Sequence, residues 1–265
     1  MAIEIQRIGL DTAKGWQGRA KAEYERLGWV YAEAPLNKMV ELANLRGDEQ
    51  VIDAATGSGA ILDALAPHLD KGGHIIGFDI SRDMLSRRKK PLPPNASLRV
   101  ADIYDTGFPD QSADLVTARQ VYHNLADISG ATQEIARILR TRRGKLIVSE
   151  YVTINPAVQE FEFPIFEKKE PGRHLWTGQQ LAETIAGIWL PQFPYSEVKL
   201  DFAVLENYSV GDWMSRSGLP IDTQSAIIEC YRNAPAGVKK VMNMHMTPEG
   251  DVLVDRPFAF VTAKK

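Results

Sequence analysis

Residues 51–62 read "VIDAATGSGAIL". A β-branched apolar run gives way to the small residues Ala54, Ala55, Thr56, Gly57, Ser58 and Gly59, and then turns apolar again. This is the pattern of a buried strand passing through a tight turn into a helix. The first N–H groups of such a helix have no intrahelical partner, and together with the helix dipole they favour polar or anionic ligand groups. Gly57 and Gly59 allow backbone conformations closed to other residues and carry no side chain to block a close approach. A ligand-free strand-to-helix turn is the plainer alternative, which the glycines alone do not exclude.

Outward from the turn, short apolar runs alternate with helical patterns. "QVIDA" (50–54), "HIIGFD" (74–79), "SLRVAD" (97–102), "ADLVTA" (113–118) and "KLIVSEYV" (145–152) are rich in β-branched residues and read as strands. Helical patterns occupy residues 59–69, 81–89 and 127–139. In the last, Ile128, Ala131, Ile135 and Ile138 form one stripe, Asp127 offers an N-cap and Gly144 follows the end. Strands and helices alternating at this spacing predict an α/β fold, doubly wound, with a mostly parallel sheet covered on both faces. "SEVKLDFAVL" (196–205) and "RPFAFVTAK" (256–264) bring the sheet to seven strands.

The flanks are less regular. Ala20, Tyr24 and Leu27, then Leu36, Met39, Val40 and Ala43, predict helices within residues 1–47. Residues 155–176 carry three prolines and read as a long irregular excursion, after which Thr177 and Gln180 have the spacing of a capping box. "DWMSRSG", "DTQSAIIECYRNA" and "AGVKKVMNM" lie between the last two strands and predict a helical cap. The expected organisation is an N-terminal helical segment (1–47), a ligand-binding α/β domain (48–205 with 251–265) and a helical cap insert (206–250).

Composition narrows the partners. With 265 residues, 44% hydrophobic and 25% charged, the chain can bury a full core. A net charge of −3 gives no global electrostatic case for nucleic acid or an anionic membrane. One cysteine, Cys230, excludes an internal disulfide, and its setting on a helix reads as a small hydrophobe. No apolar run nears the roughly 18 residues of a spanning helix, and the start has no signal-peptide pattern. The expectation is a soluble cytoplasmic protein, with a homodimer as one option for its assembly.

The strand ends then specify a ligand. Asp79, ending the second strand, can accept hydrogen bonds from both hydroxyls of a ribose, and Ser81 can cap the next helix. Asp102 ends the third strand, where it can accept from an adenine amino group while Ile103 packs on the ring. The three ends outline one adenosine-shaped slot. A dinucleotide turn places a third small residue after its glycine pair, but Ile61 and Leu62 stand here. Asp53 before the turn would repel a pyrophosphate and suits an α-ammonium group instead. These features favour S-adenosylmethionine and disfavour an NAD-dependent oxidoreductase.

At these residues the chain resembles the class I S-adenosylmethionine-dependent methyltransferases. "VIDAATGSGAIL" resembles their first motif, "GFDIS" their ribose-binding acid, and "VADIYDTGFPDQSADLVTARQVYHNLAD" their adenine segment and fourth strand. "EIARILRTRRGKLIVSE" matches the helix and strand that follow. The resemblance spans roughly residues 20–155 and looks closest to the ubiquinone and menaquinone C-methyltransferases. It departs at "DAATGSG", where many members carry a Gly-Cys/Thr pair after the acid. It implies a Rossmann-like methyltransferase fold, with S-adenosylmethionine as cofactor and S-adenosylhomocysteine as product. Asp53, Ala55, Gly57 and Gly59 would cradle the methionine part, Asp79 and Ile80 the ribose, Asp102 and Ile103 the adenine, and Arg119 and Gln120 would line the slot.

Methyl transfer from a sulfonium is an in-line displacement, so the protein mainly positions donor and acceptor. An enol, phenol or acid acceptor needs a base, for which His123 is the candidate and Glu150 a second. Tyr122, Arg173 and Trp176 are candidate acceptor-binding residues. Phe161, Phe163, Phe166, Trp213 and Tyr208 are candidate walls of an apolar cavity, and no metal site is expected. The expected activity is methylation of a small, largely apolar, aromatic or carboxylated metabolite at carbon or oxygen. The rival is an S-adenosylmethionine-binding protein that catalyses a cyclisation or elimination, or that only senses its ligand.

Overall fold

Alternate residues of each central strand enter opposite cores in the computed structural model, which describes residues 11–16 and 27–265. Strands β1 (Gln50–Ala54), β2 (His74–Asp79), β3 (Ala96–Val100), β4 (Leu115–Arg119) and β5 (Lys145–Tyr151) are mutually parallel. Val51, Leu115 and Ile147 point to one face, while Ile52, Val116, Leu146 and Val148 point to the other. Strands buried on both sides need continuous apolar runs, which is what these segments are.

On the first face lie α1 (Glu33–Ala43) and α2 (Ala60–Leu65), with Met39, Ile61, Leu62 and Leu65 as the buried contacts. The short α3 (Arg82–Ser86) follows β2, with Ser81 accepting from the Met84 N–H at 3.3 Å as its N-cap. On the second face lie α4 (Ile128–Ile138) and α6 (Gly178–Trp189), with Ile135, Ile138, Leu181, Ile185 and Trp189 fully buried. Burying each such side chain stabilises the fold by about 1.5–3 kcal/mol. The capping predicted from sequence is present: Asp127 accepts from the Gly130 N–H at 2.8 Å, and Thr177 with Gln180 forms a reciprocal capping box. Ala20 and Tyr24 of the predicted N-terminal helix lie outside the described residues.

The strand order is β3-β2-β1-β4-β5-β8-β6, with β6 (Val198–Ser209) and β8 (Val252–Lys264) antiparallel to their neighbours. A two-residue strand, β7 (His245–Met246), adds to β8 beside these seven. The chain winds from β1 one way to β3 and then returns to the other side of β1. The carboxyl ends of β1 and β4 therefore diverge, which opens a crevice at this switch point. Three further helices, α7 (Val210–Ser215), α8 (Ile221–Arg232) and α9 (Ala236–Val241), lie between β6 and β8.

One predicted segment is wrong. The excursion at 155–176 contains α5 (Pro156–Lys169), a helix of 14 residues. Asn155 caps it by accepting from the Val158 N–H at 3.0 Å, and Pro156 sits in the first turn, where no N–H is needed. Its buried positions Val158, Glu162, Ile165 and Phe166 follow the helical repeat, one of them a glutamate that an apolar stripe would not suggest. Pro164 lies inside the helix on its exposed face and removes one backbone hydrogen bond. Pro164→Ala is expected to stabilise the protein by about 1–2 kcal/mol, the gain in helix propensity less the lost rigidity of the unfolded chain. Chemical denaturation checks this, as a midpoint above that of the wild type at unchanged slope.

Candidate active site

The diverging strand ends enclose a cleft of about 870 Å³. Asp53 at the end of β1 and Ala55 and Gly57 in the turn after it line the cleft, with Asp79 and Ile80 at the end of β2, Asp102 and Ile103 just after β3, and Arg119 and Gln120 at the end of β4. Gly59 does not line it, a correction to its expected role. Its φ of +92° makes it the N-cap of α2, and a Cβ there would lie 2.5 Å from Arg88 Nη1. Gly57, at φ +56°, faces the cleft, and a Cβ there would meet only Met84 Cε at 3.5 Å. Ala55 (φ +53°) and Gln120 (φ +55°) also adopt the left-handed region, where a non-glycine residue stores on the order of 1–3 kcal/mol. Both line the cleft, as such residues often do at functional sites.

Two carboxylates dominate its electrostatics. Asp79 Oδ2 accepts from the Gly57 N–H at 3.0 Å and Oδ1 from the Ser81 N–H at 2.8 Å. Asp53 accepts from the hydroxyls of Thr56 at 2.6 Å and Thr117 at 2.8 Å. Burial raises both from the usual carboxylate range to about 6, against the pull of those donors. A carboxyl group with a raised folded-state pKa binds its proton more tightly folded than unfolded. Stability therefore rises as pH falls from about 6 towards 4, on the order of 2–3 kcal/mol for each group. A ligand that donates hydrogen bonds to the ionised Asp79 has the opposite dependence. We expect calorimetric affinity for S-adenosylhomocysteine to fall about tenfold from pH 7 to pH 5, with proton release on binding near pH 6. Melting of the ligand-free protein should not show a matching loss from these two groups.

Apolar Ile80, Ile103 and Met84 face the cleft beside the carboxylates. Asn124 is buried in its wall with neither amide atom hydrogen-bonded among the described residues, and Gln120 Nε2 is likewise unpartnered. Apolar walls, acids at three strand ends and unpartnered amides suit a nucleoside with a zwitterionic tail, so the residues fit S-adenosylmethionine.

Local sequence reading missed the lid of this cleft. Asp11, Trp16, Trp29 and Val30 line it from the N-terminal segment. Arg119 fixes residues 29 and 30 by donating to the carbonyls of Trp29 at 2.5 Å and Val30 at 2.9 Å. Tyr104 donates to Asp11 at 2.7 Å, and Tyr31 meets Ser58 at 3.2 Å. Nothing within either segment signals these contacts, which join residues 27 to 93 positions apart.

A second cavity of about 500 Å³ adjoins the first, and Trp16, Trp29 and Gln120 line both. His123 and Arg173 line it as well, beside Phe166, Tyr208 and Trp213. His123 Nδ1 lies 2.6 Å from Glu150 Oε2 and Nε2 lies 3.9 Å from Glu170 Oε2. A carboxylate only accepts, so the ring carries its proton on Nδ1 and presents a basic Nε2. Burial and then the Arg173 guanidinium hold its pKa below the usual value, leaving it neutral at pH 7.

Several expectations are corrected here. Glu150 is fully buried and lines neither cavity; it accepts from the Val121 and Tyr122 N–H groups and from His123, and so positions the turn after β4. Tyr122 points into the core, with its hydroxyl 3.2 Å from Thr132 in α4. Trp176 stacks on His174 at 5.1 Å, away from both cavities, and Phe163 is exposed. Phe161 packs edge-on to Tyr231, and Cys230 is exposed on α8. Arg173 faces the cavity, but Glu170 already accepts from it at 2.5 Å. Among the described residues, no group of three His, Cys, Asp or Glu side chains is set to hold a metal ion. No helix among them is long and apolar enough to cross a membrane.

Residues 52–148 match the family model described as a methyltransferase domain. The chain is 26% identical over 222 residues to the uncharacterized methyltransferase YcgJ of Bacillus subtilis, covering 80% of this chain and 83% of that one. The YcgJ crystal structure superposes with a TM-score of 0.69 at 18% identity, covering 87% of this chain and 97% of the other. The aklanonic acid methyltransferase DauC of Streptomyces sp. strain C5 is 30% identical over 125 residues, 46% of this chain and 57% of that one. A ubiquinone/menaquinone biosynthesis C-methyltransferase of Hydrogenovibrio crunogenus is 29% identical over 117 residues, 42% of this chain and 46% of that one. The last two matches span about half of each relative's length.

Proposed function

We propose that the chain is an S-adenosylmethionine-dependent methyltransferase, as its methyltransferase-domain match and methyltransferase relatives support, and that it methylates a small, largely apolar metabolite, aromatic or carboxylated, at carbon or oxygen. The observation that carries this reading is the pair of adjoining cavities, one fitted to the cofactor and the other walled by aromatic rings, with Gln120 lining both. When bound, S-adenosylmethionine supplies an electrophilic methyl group on a sulfonium. Asp79 orients its ribose, and the turn at Ala55–Gly57 receives the amino-acid tail. Trp16, and Trp29 whose carbonyl accepts from Arg119, exclude water where the cavities meet. His123 Nε2 accepts the proton of an enol, phenol or acid acceptor, and Glu150 stabilises the resulting imidazolium. Residues 206–250 act as a cap that contributes Tyr208 and Trp213 to the acceptor cavity. The relatives named for aklanonic acid and for quinone biosynthesis support an acceptor of this size and character.

Incubation with methyl-labelled S-adenosylmethionine and a panel of phenols, naphthols and aromatic acids tests the proposal. Label in a panel compound, lost when Asp79 is replaced, is the expected result. Cofactor binding without transfer to any of them would overturn it in favour of a non-methylating role.

A further inference from the structure

The floor of the second cavity holds a guanidinium that the described residues pair only in part. Arg256 in β8 is 4% exposed, and its guanidinium carbon lies 4.4 Å from the ring centre of Trp213, 4.8 Å from Tyr151 and 5.3 Å from Tyr208. Among the described residues its one carboxylate partner is Glu162, reached through a single contact from Nη1 at 3.3 Å. That carboxylate also accepts from the hydroxyls of Tyr151 and Tyr231, so its charge is shared among three donors. Arg256 Nη2 donates to the Tyr231 oxygen at 3.1 Å, and Nε has no partner among the described residues. Tyr208, 6% exposed on the same wall, has a buried hydroxyl that is also unpartnered.

An unpaired buried donor is costly, and an incompletely paired buried cation more so. Rings stabilise a guanidinium through their faces but offer no acceptor for the Nε–H. Two orphaned donors, one of them charged, on one apolar wall are a complement to a ligand oxygen anion. Across Phe166, Arg173 repeats the pattern: its guanidinium lies 4.4 Å from the Phe166 ring centre and its Nε is likewise unpartnered.

We propose that the second cavity anchors its acceptor through a carboxylate on an aromatic body, received by Arg256 Nε and the Tyr208 hydroxyl. Neither residue lines the cofactor cleft, so this carboxylate is an anchor, and the methyl-accepting atom lies at the other end, near Gln120 and His123. The inference rests on the reading of this cavity as the acceptor site, which the experiment below tests separately.

The probes are 1-naphthoate and its neutral isostere 1-naphthamide, titrated by calorimetry into protein saturated with S-adenosylhomocysteine. The acid should bind about tenfold or more tightly than the amide. Tyr208→Phe removes a hydroxyl that bonds to nothing among the described residues, so it should melt no lower than the wild type. It should weaken naphthoate about three- to tenfold and naphthamide by less, because the amide keeps an acceptor oxygen without the charge. Arg256→Lys keeps the charge without the planar fork and should erase most of the preference. Naphthoate that binds no better than the amide, or not at all, overturns the proposal, as does full naphthoate affinity in Tyr208→Phe. Failure of the wild type to bind S-adenosylhomocysteine would instead strike the methyltransferase reading.

Discussion

Asp79→Ala is expected to weaken S-adenosylhomocysteine binding by about ten- to a hundredfold, the loss of a charged hydrogen-bond acceptor worth about 1.5–3 kcal/mol. The same substitution relieves the burial of a carboxylate whose pKa stands at about 6. It also strips the Gly57 and Ser81 N–H groups of their acceptor. These two effects on stability oppose each other, so the melting temperature should move little while affinity collapses. That split marks a ligand-binding acid, because a purely structural one would lose stability and affinity together. Calorimetry checks both, and unchanged affinity would remove Asp79 from the cofactor. Asp79→Asn should fall between the two, since an amide keeps one acceptor oxygen but neither the charge nor the second.

His123→Ala should lower kcat by about a hundredfold or more, within the range for loss of a general base, and leave cofactor affinity unchanged. The ring contacts the second cavity and not the first, which is why the two readouts separate. The pH profile adds a sign. Burial and Arg173 favour the neutral ring, so activity should be retained to lower pH than an ordinary histidine allows. Glu150→Gln removes the partner that stabilises the protonated ring, and should reduce kcat while shifting the acidic limb of the profile further down. Normal turnover in His123→Ala would return the residue to a structural role, tying β4 to β5 through Glu150.

Much of the cleft was legible because its parts are local. Each strand end carries its own signal within a few residues: the small-residue turn after β1, Asp79 after β2 and Asp102 after β3. The sheet's winding then brings them together without further information. The helix at 156–169 was not legible in the same way. Proline at its first turn and on its exposed face reads as a breaker along the chain, yet costs little at the first position and is tolerated at the second. Tyr122 was misplaced because one residue of rotation in the short turn after β4 decides whether a side chain meets the core or the cavity. His123 and Tyr122 are neighbours with opposite destinations.

By itself the sequence determined the alternation of strands and helices, the capped helix starts and the acids at three strand ends. These follow from periodicity and turn chemistry that act over about a dozen residues. Only the tertiary structure decided what closes the cleft and what lines the second cavity. Arg119 meets the Trp29 carbonyl across 90 positions, and Arg256 meets Glu162 across 94. Such pairings depend on where whole elements pack against one another, and no local pattern carries that information.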